Sequence, residues 1–177
     1  MNIHIKRLCL SALCLAMAAI LPWLFHTVPN AGRVISPLHI PVLLCGLSCG
    51  WYYGTVCGLI APVLSSLITG MPPLAMVPSM TAECAIYGLV AGLLIYFIKT
   101  RHTALNLFIS LVFAMLLGRV AYGLVNFFFF GGQTPPHIWL MGSFATGLPG
   151  IILHLILVPA LYLVLYKTGL IPRKNKA

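Results

Sequence analysis

Between Leu8 and Gly32, Val34 and Ala82, and Val120 and Tyr166, this chain contains no Asp, Glu, Lys or Arg. Uncharged stretches of that length, filled with Leu, Ile, Val, Ala and Phe, are the strongest constraint on its fold. In water they would leave apolar surface that no soluble domain can cover. In a bilayer each segment of about 20 apolar residues spans the hydrocarbon layer. Composition agrees: 61% of residues are hydrophobic and 6% charged, where a soluble domain carries roughly a quarter charged. With 177 residues, six or so crossings nearly exhaust the chain. We expect an all-α integral membrane protein, a single six-helix domain over residues 1–177 with both termini cytoplasmic.

Apolar runs bounded by Pro, Gly and charge clusters predict spans over Leu8–Phe25, Leu38–Cys49, Tyr53–Thr69, Met80–Ile98, Ala104–Phe130 and Ile138–Tyr166. Lys6 and Arg7 before the first run resemble a signal peptide. That run is long for a signal core, and more membrane sequence follows, so it reads as the first span. Leu38–Thr69 amounts to about 48 Å of helix at 1.5 Å per residue, either two short crossings or one overlong one. The charges arbitrate. Six spans put eight of the ten Lys and Arg residues on the cytoplasmic side, including Lys99, Arg101 and the C-terminal cluster, as the positive-inside rule requires. Two short crossings therefore win, turning near Gly50 and Gly54. The net charge of +9 then reflects topology rather than nucleic-acid binding. Trp23, Trp51 and Trp139 fall near span ends, where interfacial aromatics belong.

The outer segments His26–Pro37, Gly70–Ser79 and Gly131–His137 are rich in Gly and Pro and almost uncharged. Irregular backbone of this kind is tolerated at membrane depth where it lines a cavity. Leu74, Met76 and Val77 favour loops that fold down as lids.

An ionisable residue inside a span costs about 2.5 to 3.5 kcal/mol on the insertion scale and is a functional candidate. The chain has two, Glu83 and Arg119. Tyr87 follows Glu83 at i+4, and Tyr122 and Asn126 follow Arg119 at i+3 and i+7, so each heads a polar helix face. Together they describe a substrate pocket open to the outside, to which Arg33, His39 and His137 at the outer span ends would add. Counting residues places Arg119 about 10 Å deeper than Glu83, which disfavours a direct pair. His154, alone in the sixth span, reads as bonding a neighbouring helix, and its depth does not match that of His39. The six cysteines form no CxxC pair and read as small buried hydrophobes. One acid excludes a catalytic carboxylate pair, and no P-loop, GxSxG or HExxH occurs. The chain is not expected to be an enzyme or to hold a cofactor or metal. Ala12, Ala16 and Ala19 share a face of the first span on which a partner helix can approach closely.

Four stretches carry a family resemblance: the Ala12/Ala16 pair, the run GRVISPLHIPVLLCGLSCGWYYG, the run GLIAPVLSSLITGMPP followed by Glu83 and Tyr87-Gly88, and ATGLPGIILHLILVP. In order and spacing they resemble the substrate-binding S components of energy-coupling factor (ECF) vitamin transporters. The resemblance implies capture of a water-soluble vitamin or precursor near the outer face of the bacterial cytoplasmic membrane. It also implies docking, through Ala12 and Ala16, to a membrane coupling subunit with two cytoplasmic ATPases that hydrolyse ATP. A pantothenate-like carboxylate would suit Arg119; a pyridoxine-like or thiamine-precursor-like heterocycle would suit Glu83 with Tyr87. The competing reading from the residues is a haem- or metal-binding redox membrane subunit using the histidines. A stand-alone carrier, with one intramembrane acid for ion coupling, ranks third.

The charge argument predicts that a cysteine at Thr100 resists labelling by a membrane-impermeant thiol reagent added to intact cells. Efficient labelling would invert the topology.

Overall fold

The computed structural model describes residues 3–24, 35–98, 102–129 and 147–171. These form α1 (Ile3–Leu24), α2 (His39–Cys49), α3 (Trp51–Thr69), a 3-10 turn (Leu74–Met76), α4 (Val77–Phe97), α5 (Thr103–Phe129) and α6 (Leu148–Lys167). Five segments are long and apolar enough to cross a membrane, with the turn and α4 counted as one. The exception is α2. Its 11 residues make about 16 Å of helix, half of a bilayer's hydrocarbon thickness of about 30 Å. The Leu38–Cys49 segment expected to cross is therefore a half-length helix, and every one of its residues is buried by the others.

The turn between α2 and α3 lies at Gly50, whose φ of 103° is open to glycine and strained for other residues. The two helices then run back against each other and against α4, with glycine at each crossing. A Cβ on Gly46 would lie 2.6 Å from the Gly88 carbonyl oxygen, and one on Gly54 would lie 2.5 Å from the Gly46 Cα. One on Gly88 would overlap the Gly54 carbonyl. A turn away in either direction, Gly58 abuts the Cys84 carbonyl and Gly92 abuts the Trp51 backbone. Gly50, Gly54 and Gly58 thus face Gly92, Gly88 and Cys84 along an antiparallel seam. Lipid tails are as apolar as Leu, so helices in a bilayer associate by close packing rather than by hydrophobic burial, and small residues permit that approach.

Around this seam α1 packs on α2 and α3, α5 packs on α4, and α6 closes onto α2 and α5. The core mixes small residues, Cys14, Ala18, Cys45, Cys57, Ala61, Cys84, Ala91 and Ala114, with Leu43, Leu107 and Leu111. All five of these regions' cysteines that face inward are free thiols. Most Leu, Ile and Phe side chains instead face outward, among them Leu67, Leu124, Phe128 and Ile156, as a lipid-facing surface requires.

Two expectations change at the α3–α4 connection. Helix α4 begins at Val77, not Met80, with Pro78 in its first turn, where a missing N–H costs nothing. The connection is tied back to α3 rather than folded over as a lid. Ser65 Oγ donates to the Met71 carbonyl at 2.7 Å, and the Met71 amide donates to Thr69 Oγ1 at 3.3 Å. Leu74 points outward, 76% exposed.

Gly88→Ala should lower the unfolding free energy of the detergent-solubilised protein by about 1 to 3 kcal/mol, the usual cost of overpacking. On propensity alone the same change in a helix would stabilise by about 1 kcal/mol. A melting temperature at or above wild type would disprove the backbone contact.

Candidate functional site

Glu83 lies in the second turn of α4 and is 1% exposed. One helical turn brings Tyr87, four residues on, onto the same face, and its hydroxyl donates to Glu83 Oε1 at 2.6 Å. The Tyr87 ring is completely buried because α5 presents Gly118 to it; a Cβ there would collide with the ring. The next residue, Arg119, brings its Nε to 3.4 Å from the same Oε1. From α2, His39 turns its Nε2 toward Glu83 Oε2 at 3.8 Å, and its ring meets Tyr87 edge-on with centroids 5.0 Å apart. From α6, His154 approaches His39, ring centroids 5.8 Å apart. Four helices thus converge on the chain's single carboxylate.

The polar atoms here are incompletely matched. Among the described residues, the His39 ring nitrogens and the Arg119 Nε make no short hydrogen bond and face Glu83 only across 3.8 and 3.4 Å. The backbone of Ile35 and Ser36 lies within hydrogen-bonding reach of the His154 ring. Each unsatisfied buried polar group costs about 1 to 3 kcal/mol. An ion pair inside a protein is no better for stability than well-packed apolar residues, and often worse. A buried ionic cluster of this kind is therefore a functional candidate rather than a source of stability.

Of the residues expected to bind substrate, Glu83, Tyr87, Arg119 and His39 come together. Tyr122 and Asn126 are half-buried farther along α5, on the path from Arg119 to the helix end. Arg33, His137 and the segments around them lie outside the described residues. Two depth estimates are corrected. Arg119 meets Glu83 because α5 has 27 residues, about 40 Å of helix; counting from an end that overshoots the bilayer exaggerates depth. His154 and His39 lie at one level because α2 starts inside the bundle rather than at its surface. His154 belongs to the cluster, and the rule that selected Glu83, an ionisable group in an apolar span, selects it too. Gly118 was signalled only by its place beside Arg119.

The alanine face of α1 divides. Ala12 and Ala16 are exposed, while Ala19 is 3% exposed and its carbonyl lies 3.5 Å from Ser65 Oγ of α3. Ala19 is thus an internal contact and not part of a surface offered to another subunit. Among the described residues no group of three His, Cys, Asp or Glu side chains is placed to hold a metal ion, so the redox reading gains no support there.

A family model described as ECF transporter, substrate-specific component, matches residues 6–162. Neither curated proteins nor solved structures give a match.

If the Glu83–Arg119 contact is as described, Glu83→Gln and Arg119→Gln should each destabilise the protein, by up to about 3 to 5 kcal/mol where a buried charge is left uncompensated. The double variant should be less destabilised than the sum of the two. Strict additivity in detergent unfolding would show that the two charges do not interact.

Proposed function

The chain belongs to the substrate-specific components of ECF transporters, and on that premise we propose that it captures a water-soluble vitamin or vitamin precursor in the polar cluster around Glu83. Its family makes it a transport subunit rather than an enzyme, and a multi-pass membrane protein. The observation that supports the proposal is the convergence of ionisable side chains from α2, α4 and α5, with His154 of α6 beside them, on one buried carboxylate in an otherwise apolar bundle. Intramembrane ionisable groups mark substrate pathways by default. Here they lie near the ends of α2, α4 and α6 from which the Gly/Pro-rich outer segments lead away.

In this reading Arg119, Tyr122 and Asn126 form the wall along which substrate descends. His39, Glu83 and Tyr87 form its floor, and Arg33 and His137 act from the outer segments. The candidate substrates remain pantothenate-like carboxylates and pyridoxine-like or thiamine-precursor-like heterocycles. The protein works in the bacterial cytoplasmic membrane with both termini inside, docked to a coupling subunit and two ATPases. ATP is hydrolysed by those partners, and this chain holds no cofactor. The exposure of Ala12 and Ala16, small enough for another helix to approach closely, supports α1 as the docking face.

Two measurements on Ala16→Leu test the division of labour. The isolated variant should bind the retained substrate with wild-type affinity, because Ala16 is remote from the α2–α4–α5–α6 cluster. Uptake by the complete transporter in vesicles should fall, since added methylenes at a close helix contact typically cost about 1 to 3 kcal/mol. Lost affinity would place this face inside the protein's own fold, and unchanged uptake would remove it from the coupling interface.

A further inference from the structure

We infer that the outer half of α6 is the gate through which substrate reaches the Glu83 cluster, swinging away from α2 about Pro159 while the inner half of the helix stays fixed. The inference rests on substrate capture at that cluster and adds the motion that capture requires.

Burial makes a motion necessary. His39, Glu83 and His154 are each 1% exposed and Tyr87 is completely buried, so nothing from outside touches them in this conformation. Some element must move, and the packing singles one out. Helices α2, α3 and α4 meet backbone to backbone at Gly46, Gly54, Gly58, Gly88 and Gly92, and separating them would break the contacts that hold the bundle together. Helix α5 is keyed to α4 by the Tyr87 ring against Gly118. Helix α6 is held differently. Its buried residues, Gly150, His154, Val158 and Tyr162, lie four apart and form one narrow stripe, and its main neighbours are α2 and α5. Every buried residue of α5 lies at or before Gly118, so residues 119–129, toward the outer side, bury no side chain against it.

The two halves of α6 are not equally anchored. Inward, Val158 and Tyr162 belong to the apolar core, and so does Ile171 beyond the helix end. The chain reaches Ile171 through a turn at Gly169, whose φ is 74°, with the Leu170 and Ile171 amides both donating to the Leu165 carbonyl at 3.2 and 3.4 Å. Outward, the large buried side chain is His154, its ring 5.8 Å from that of His39 and within reach of the Ile35 and Ser36 backbone. Ile151 and Leu155 are only half-buried. A polar latch of this kind opens without parting two backbones. Between the halves stands Pro159. Lacking an N–H, it leaves the Leu155 carbonyl without its helical donor, the usual origin of a bend in a helix. Moving parts are drawn from the least tightly packed regions of a fold, and here that region closes directly on His39.

The test uses the full-length chain in detergent with the exposed Cys9 replaced by Ser, the other five cysteines being buried. Spin labels go in pairs on exposed positions: Ile152 of outer α6 with Leu67 of outer α3, and Val164 of inner α6 with Tyr52 of inner α3. The probe is the small molecule that co-purifies with the chain, identified by mass spectrometry and then washed out. In the washed protein the outer pair should show two distances and the inner pair one; restoring the molecule should leave the outer pair one. Pro159→Ala, which gives Leu155 back its donor, should keep the outer pair at one distance throughout. It should also slow both uptake and release of the molecule by about tenfold with Kd unchanged, as when binding waits on a conformational step. An outer pair as narrow as the inner pair in the washed protein, or wild-type exchange rates in a Pro159→Ala variant that melts normally, shows that α6 is not the gate and leaves capture intact. Retention of no small molecule by the wild-type chain overturns both.

Discussion

Backbone contact at Gly46, Gly54 and Gly88 is the interaction on which the rest of this protein depends. In water a short apolar helix such as α2 would be driven into place by exclusion of solvent. In lipid that force is missing, and what remains is dispersion between surfaces that fit. Each glycine carries a helix-propensity cost of about 1 kcal/mol. The return is an approach so close that one helix's carbonyls lie against the next helix's Cα atoms, where weak Cα–H···O contacts also contribute. Because the seam holds α4 against both α2 and α3, it fixes the height of Glu83 and Tyr87 relative to His39. Their mutual geometry is a property of the backbone and not of flexible side chains.

The polar cluster is supported from this frame and contributes little to it. Glu83 has three neighbours on three different elements, which is the arrangement expected of a hub that orients others. Tyr87 is held by the notch at Gly118, and Arg119 follows directly from that notch.

Much of this was legible in the sequence because a bilayer imposes simple rules. Segment length, Gly/Pro boundaries and the distribution of Lys and Arg located α3, α4 and α5 to within three residues and α1 to within five, and the i+4 spacing put Tyr87 on the helix face of Glu83. Depth was the quantity that residue counting could not supply. It assumed that helices begin and end at the membrane surface, whereas α2 starts inside the bundle and α5 runs past its neighbours. Those two departures account for the misjudged separation of Arg119 from Glu83 and of His154 from His39. The glycine seam was visible as Gly50-x3-Gly54-x3-Gly58 and Gly88-x3-Gly92, but a pattern of small residues does not say which helix it meets. Burial of Ala19 beside Ser65, with Ala12 and Ala16 left open, is likewise decided by the angle at which α1 crosses α3.

The seam at Gly46, Gly54 and Gly88 is built from backbone and shares no side chain with the cluster, and this separation bears on how such a protein can diverge. Replacing His39 or His154 would alter the chemistry of the cluster without touching the glycine contacts that set the spacing of α2, α3 and α4. The converse does not hold: a single methyl group on the seam would shift α4, and with it Glu83 and Tyr87, relative to His39. Mutational tolerance should therefore be layered, permissive at the imidazoles and intolerant at the glycines. A lineage built on this plan is free to explore new cargo while its glycines remain locked.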